Sequence, residues 1–141
     1  MNSPISNLTQ LLRSITPTLK QGVYVYCLVP HGSDVQAFAP VVTVVEEEGV
    51  SLIVSEEVAQ TAGLEILFRA AWITLTVHSD LQAVGLTAAF SNALAGAGIS
   101  CNVVAGVFHD HIFVPVALGQ RALEVLSDLQ KNALESDIPS T

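Results

Sequence analysis

The sequence predicts an α+β fold with two similar halves, each pairing antiparallel strands with helices on one face. Two runs rich in valine, residues 41–45 and 50–54, flank Glu46-Glu47-Glu48-Gly49, which is a hairpin signal. Apolar residues recur at helical spacing in residues 86–97 and 118–133. The second half orders its elements as strand, helix, strand, strand, helix, and the first half repeats this plan without its first helix. These features together are typical of two tandem ferredoxin-like half-domains.

Composition limits the function classes. The 141 residues suit one compact domain or two small half-domains. Half of them are hydrophobic and only 13% are charged, so we expect a homodimer that covers apolar surface. The net charge of -8 opposes nucleic-acid binding, and no apolar run is long enough to span a membrane. The two isolated cysteines, Cys27 and Cys101, indicate reduced thiols in a cytoplasmic protein.

The N-terminal segment has the spacing of an amphipathic helix between Ile5 and Leu19. Pro17 disfavours helical dihedrals in the residue before it, so a break is expected there, followed by a short second turn that ends at Gly22. Residues 23–29 are rich in β-branched and aromatic side chains and predict an inner strand. Residues 30–40 carry turn formers and predict a loop.

Ser55 is positioned to cap a short helix that runs through Ala62 and is closed by Gly63. Residues 64–68 and 72–78 are then predicted to be strands. Further on, residues 99–108 and 112–116 predict two strands around a tight turn at His109-Asp110-His111. A last helix follows, and the residues from Glu135 onward predict a frayed tail.

Several stretches resemble a known family. These are residues 19–27, the hairpin at Glu46-Glu47-Glu48-Gly49, residues 72–89, Gly98-Ile-Ser-Cys-Asn and residues 105–115. They resemble small bacterial proteins built from two tandem ACT-like domains, and the resemblance covers nearly the whole chain. It implies an N-terminal ACT-like domain at residues 1–69, with an added N-terminal helix, and a C-terminal ACT domain at residues 70–141, each of βαββαβ type.

ACT domains bind amino acids and other small effectors, usually at interfaces between two ACT units. Proteins built like this one resemble the regulatory domains of aspartate kinases and, more distantly, animal cytosolic arginine sensors. The resemblance therefore implies a regulatory protein without enzymatic activity, which senses a small molecule, by expectation an amino acid, at a domain or subunit interface. The implied partners are a second copy of the chain and a regulated enzyme.

The resemblance also indicates where the ligand binds. ACT ligand loops show an acidic residue followed by proline and glycine at the start of the first helix; here Asp80 matches the acid, Val84 stands in place of the proline and Gly85 matches the glycine. Backbone N–H groups at a helix N-terminus favour a carboxylate, and Asp80 could pair with an α-ammonium group. The simpler alternative is that Ser79 or Asp80 only caps the helix. The expected ligand-binding residues are His78, Ser79, Asp80, Leu81, Val84, Gly85, Leu86 and Asn102.

Other chemistries are weaker alternatives. His109 and His111 would share a face if both lay in strands, and two imidazoles can begin a divalent-metal site. The competing interpretation places Asp110 in the tight turn with both histidines bonded to backbone, and a role in a dimer interface is a third. His78-Ser79-Asp80 lacks the glycines of a nucleophile elbow, and Gly96-Ala97-Gly98 lacks the third glycine of a dinucleotide site, so no cofactor is expected. A protein-interaction module without a ligand, docked on a larger enzyme, is the alternative from another class.

Overall fold

The computed structural model describes residues 4–76 and 84–135. Within these ranges the chain forms one antiparallel sheet with helices packed on one of its faces. The helices are α1 (Pro4–Ser14), α2 (Glu56–Ala62), α3 (Leu86–Gly96) and α4 (Gly119–Glu135), with short 3-10 turns at Val35–Phe38 and Val116–Leu118. The strands are β1 (Thr16–Leu19), β2 (Tyr24–Val29), β3 (Val42–Val45), β4 (Val50–Ser55), β5 (Phe68–Thr76), β6 (Asn102–Ala105) and β7 (His109–Pro115).

Strand β5 joins the two halves of the molecule. The strand order is β3-β4-β2-β5-β7-β6, and β1 pairs with β5 beside this path. The first part of β5 pairs with β2, its last four residues pair with β1, and its other edge pairs with β7 from Ala70 to Thr76. All of these pairs are antiparallel, as the sequence predicts, but both halves contribute to a single sheet.

The four helices lie on the same face of the sheet, and this confirms the predicted arrangement. Alternate residues of a strand point to opposite faces, and paired residues point to the same face. Under α1, α3 and α4 the core contains Ile15, Ile73, Leu75, Phe90, Leu94, Ile112, Val114 and Leu126; under α2 it contains Val25, Cys27, Leu52, Val54 and Ala59. None of the helices in the described ranges is long and apolar enough to cross a membrane.

The opposite face, here called the helix-free face, carries most of the aromatic side chains of the sheet. Tyr24 meets the edge of the Trp72 ring at a centroid distance of 5.0 Å, and Tyr26 meets Phe113 in the same way at 6.0 Å. Such edge-to-face pairs are favourable for aromatic rings. Burial raises the pKa of Tyr26 to about 12. Phe113 and Ala70 are fully buried, so this face holds a core of its own.

Local signals in the first half are confirmed. Strands β3 and β4 form the predicted hairpin around Gly49, which has a positive φ of 154°. The Ser55 hydroxyl accepts a hydrogen bond from the Val58 amide at 3.2 Å and caps α2. Gly63 ends that helix in the left-handed conformation, with φ of 68°.

The prediction of a second helical turn after Pro17 is wrong. Thr16–Leu19 is strand β1, and Pro17 lies opposite Leu75 of β5. Strand β1 pairs with β5 alone, so its outer edge has no strand partner among the described residues. Proline lacks a backbone N–H and is tolerated on an edge strand, because no ladder bond is lost on the unpaired side.

Two strand boundaries also differ from the prediction. Residues 64–67 form no strand, and β5 runs without interruption from Phe68 to Thr76. Strand β6 covers only Asn102–Ala105 of the predicted residues 99–108. The tight turn precedes the histidines: the Gly106 amide donates to the His109 carbonyl at 2.8 Å, and His109-Asp110-His111 begins β7. Gly106 permits this closure because a Cβ there would lie 3.0 Å from the same carbonyl oxygen.

Candidate functional site

The predicted ligand loop ends at Gly85, directly before α3. Gly85 has φ of 96°, a conformation that favours glycine, and its carbonyl accepts the Ala89 amide at 2.9 Å. A Cβ at this position would lie 3.3 Å from Cδ2 of Leu8, so α1 packs closely against the start of α3. Both the dihedral angle and the close approach of α1 therefore favour glycine here.

The neighbours of Gly85 have different surroundings. Val84 is 86% exposed, whereas Leu86 is 4% exposed and belongs to the core under α3. The Leu86 side chain therefore stabilises the fold, and only its backbone amide can face a ligand at the helix N-terminus. The predicted residues His78, Ser79, Asp80 and Leu81 lie in the segment 77–83, outside the described residues. Their role in ligand binding stays a prediction.

The structure separates Asn102 from Gly85 within one chain. Asn102 is exposed on the helix-free face. It pairs with Phe113 of β7, and Phe113 pairs with Trp72 of β5, so these three residues lie side by side across the sheet. Trp72 is four residues before Thr76, the end of β5, which corresponds to about 13 Å along the strand. Helix α3 packs on the opposite face of the sheet, against Ile73 and Leu75. Asn102 therefore does not face the same small ligand as Gly85 of its own chain.

The histidine cluster adopts the arrangement that the strand alternative predicts. His109 and His111 both point to the helix-free face, with ring centroids 6.2 Å apart, and each is partly buried. Asp110 points to the opposite face, opposite Leu75 and Ala105, and is 8% exposed. The interpretation with Asp110 in the tight turn is therefore wrong, because all three residues belong to β7.

Trp72 fixes the tautomer of His111. The indole Nε1–H donates to Nδ1 of His111 at 3.2 Å. Because indole nitrogen is only a donor, Nδ1 is unprotonated and Nε2 of the neutral ring carries the proton. Burial is the largest cause that lowers the pKa of His111, and the nearby His109 lowers it further. In the neutral ring, Nε2 faces the turn before β7, because a Cβ at Gly106 would lie 3.3 Å from this nitrogen.

This tautomer does not suit a metal ion. A metal bound at Nε2 requires the proton at Nδ1, where the Trp72 donor already lies. Within residues 4–76 and 84–135, no group of three or more His, Cys, Asp or Glu side chains is arranged to hold a metal ion. The divalent-metal hypothesis for His109 and His111 consequently gains no support from the geometry.

Lys20 joins this cluster through the backbone of β1. Its amide donates to the Trp72 carbonyl at 2.8 Å, which extends the pairing of β1 with β5 by one residue. Its ammonium lies 5.5 Å from the centroid of the Trp72 ring, a cation–π distance. The same charge contributes to lowering the pKa of His111. The sequence does not predict Lys20 and Trp72 as site residues, because the helical spacing places Lys20 in a helical turn instead of at the end of a strand.

Comparison with known proteins identifies two matching segments. Residues 3–71 match one ACT domain family, and residues 68–128 match a second family with the same description. No curated protein matches the chain.

Solved structures agree with these matches. A protein of unknown function from Vibrio cholerae, described as a possible transport protein, is 48% identical, with 91% of this chain and 99% of that chain covered and a TM-score of 0.82. A protein from Agrobacterium tumefaciens is 15% identical, with 82% and 89% covered and a TM-score of 0.64. The regulatory subunit of aspartate kinase from Thermus thermophilus is 14% identical, with 80% and 95% covered and a TM-score of 0.62. The last two show a shared fold.

Proposed function

This chain belongs to the ACT domain family, and from that membership we propose that it is a non-catalytic regulatory protein that binds a small amino acid. The observation that carries the proposal is the start of α3 at Gly85, where an 11-residue helix begins on a glycine with positive φ directly after the expected ligand loop. Free backbone N–H groups at such a helix start favour a carboxylate.

The proposal assigns two charged ends of the ligand to two groups. The α-carboxylate binds the amides at the start of α3, and the α-ammonium pairs with Asp80 in the preceding loop. Asn102 points away from this position in its own chain, so its proposed contact is with the ligand of a neighbouring unit. The proposal therefore includes a homodimer whose sites lie between ACT units.

The division of the chain is also part of the proposal. We place the boundary between residues 69 and 70, which is supported by the family matches at residues 3–71 and 68–128. The regulated partner is proposed to be an enzyme, by analogy of fold with the regulatory subunit of Thermus aspartate kinase. The expected location is the cytoplasm, where Cys27 and Cys101, which form no disulfide with each other, would stay reduced.

A second candidate is a protein-interaction module without a small ligand. The observation that favours it is exposed apolar side chains at two places on the sheet. Val44 and Val45 on the edge strand β3 are 48% and 75% exposed, and Val107 and Phe108 in the turn before β7 are 69% and 75% exposed. Exposed apolar side chains next to a free strand edge are suited to docking another protein.

Thermal stability in the presence of each of the twenty amino acids tests the proposal. A ligand that binds only the folded state stabilises it by about 2.7 kcal/mol at a hundred times its dissociation constant. We expect one amino acid, or a few related ones, to raise the melting temperature of the native protein, and the effect to be lost in Asp80→Ala. Asp128→Ala, in which an exposed carboxylate of α4 is removed, should respond as the native protein does.

The outcomes separate the candidates. If no amino acid raises the melting temperature, the interaction module is the better account, and a pull-down with β3 variants becomes the relevant assay. If an amino acid stabilises the native protein and Asp80→Ala equally, the ligand binds elsewhere than the loop. Sedimentation of the protein with and without the stabilising amino acid tests the dimer independently.

A further inference from the structure

We propose that the free edge of β3 binds an extended segment of a partner protein that carries several lysine or arginine side chains, and that this segment adds a strand to the sheet. The inference rests on the proposal that this chain acts on another protein, and it assigns the surface and the chemistry of the contact. The surface, here called the β3 edge, consists of strand Val42–Val45, the hairpin residues 46–49 and Leu28 of β2.

The outer side of β3 leaves backbone hydrogen-bonding groups without a strand partner. Strand β3 lies at one end of the sheet order and pairs with β4. In the hairpin the Glu46 amide donates to the Gly49 carbonyl at 2.8 Å, and bonded and non-bonded pairs alternate along antiparallel strands from there. The N–H and C=O groups of Thr43 and Val45 therefore point away from β4. None of the described strands pairs with these groups, so they can bond to an added strand.

Apolar side chains beside this edge are exposed. Val44 and Val45 are joined by Leu28 of β2, which is 46% exposed. The register places Ser51 between Leu28 and Val44 in one row on the helix-free face. A strand added at the edge would continue this row, with one of its side chains beside Val44. Edge strands are commonly protected by lysine or proline, and β3 contains neither.

The charge of the first half selects a basic occupant. Residues 21–68 contain no lysine or arginine. Seven of the 13 acidic residues of the chain lie in this range: Asp34, Glu46, Glu47, Glu48, Glu56, Glu57 and Glu65. Three of them directly follow β3 in the hairpin, where all three are exposed. Negative potential at the end of a free strand edge attracts a segment of opposite charge.

Other occupants fit the β3 edge less well. Pairing of two copies through this edge would bring two acidic first halves together, and like charges across an interface are unfavourable. Another segment of the same sequence is unsuited, because no two of its five Lys and Arg residues are closer than Arg13 and Lys20. Nucleic acid is repelled by the same carboxylates. The occupant is therefore a basic segment of a different protein.

Fluorescence anisotropy of labelled peptides tests the inference. The probe is a short peptide in which valine alternates with lysine, because alternate residues of an added strand face opposite sides of the sheet. We expect saturable binding that weakens as the sodium chloride concentration is raised. One control peptide has glutamate in place of lysine, and a second keeps lysine but has every backbone nitrogen methylated. Both should bind at least tenfold more weakly, the first because its charge is repelled and the second because it donates no backbone hydrogen bonds.

Variants of this chain locate the contact. The double variant Glu47→Gln with Glu48→Gln should bind the valine–lysine peptide at least tenfold more weakly. Glu124→Gln with Asp128→Asn makes the same change of charge on α4 and should bind it as the native protein does. Thr43→Pro removes an outward N–H and should also weaken binding at least tenfold, while the pairing with β4 is retained. Far-ultraviolet circular dichroism verifies that each variant is folded.

The inference is overturned if the valine–lysine peptide shows no saturable binding, or if the methylated peptide binds equally tightly, since charge alone would then explain the attraction. It is also overturned if the two double variants bind equally. If sedimentation shows that Thr43→Pro converts a native dimer to monomers, the β3 edge binds a second copy and the inference is wrong. Asp80→Ala should retain peptide binding, so a failure of the amino-acid proposal leaves this test intact.

Discussion

Replacing Gly119 by alanine should destabilise the fold, because α4 begins against β5 with no room for a methyl group. A Cβ at Gly119 would lie 2.7 Å from Cβ of Ala71. Two carbon atoms prefer a separation of about 3.5–4.0 Å, so the start of α4 would have to move by about 1 Å. Ala71 resists displacement, since it pairs with Val114 of β7 and the flanking residues Ala70 and Ile73 pair with β2 and β1 on the other edge.

The expected loss follows from two opposing effects. Overpacking of this kind costs about 1–3 kcal/mol. Replacing glycine by alanine within a helix stabilises the fold by up to about 1 kcal/mol. The gain is smaller at the first helical position, where Gly119 lies. The free energy of unfolding should therefore fall by about 1–2 kcal/mol.

Urea denaturation followed by circular dichroism measures this change. Gly96→Ala is the matched control, because a Cβ at Gly96, the last residue of α3, meets no atom within 4 Å. That variant should be as stable as the native protein or more stable. Adding Ala71→Gly to Gly119→Ala removes the clash, so the double variant should lose less than the sum of the two single losses. If Gly119→Ala proves as stable as Gly96→Ala, the close packing of α4 on β5 is refuted.

Three further predictions concern buried or capping side chains. Burial is the main cause that raises the pKa of Asp110 above the ordinary 3.8, so its ionised form destabilises the fold at neutral pH. Asp110→Asn should have a higher free energy of unfolding than the native protein at pH 7, and the difference should shrink as the pH falls toward 3.8. Urea denaturation measures this difference, and Asp128→Asn, which changes an exposed carboxylate, should show no such trend. Ser55→Ala removes the cap of α2 and should lower the free energy of unfolding by about 1 kcal/mol. An equal loss in Ser100→Ala, where an exposed serine between α3 and β6 is replaced, would contradict this reason. Phe90→Ala should cost about 3–5 kcal/mol, because its ring lies fully buried between α3 and the sheet, and a loss below about 1 kcal/mol would argue against that packing.

Local chemistry made several elements predictable from sequence. The hairpin between β3 and β4 and helix α2 depend on residues that lie next to each other, namely Gly49, Ser55 and Gly63. Helix α3 was predicted from the apolar spacing that begins at Leu86. In each case the residues that form the element also carry the signal for it, so no distant partner is needed.

Long-range pairing explains the elements that were predicted wrongly. Thr16–Leu19 continues a helical spacing and is polar on alternate positions, and it becomes a strand because its backbone groups pair with the end of β5. His109-Asp110-His111 has the composition of a turn, but pairing with β5 across Thr74 and Thr76 extends it. A single sequence window does not contain the partner strand, so local propensity points to the wrong conformation.

The α+β class, the placement of helices on one face and the glycine at the start of α3 can all be predicted from the amino-acid sequence. It also pointed to an ACT-like plan, through residues that are contiguous or periodic. Which polar groups meet is seen first in the folded chain: Trp72 and His111, 39 positions apart, share a hydrogen bond, and Lys20 from the end of β1 lies against the Trp72 ring. Their meeting depends on the register of β5 with two other strands, and register is set by packing of the whole sheet and not by any one segment.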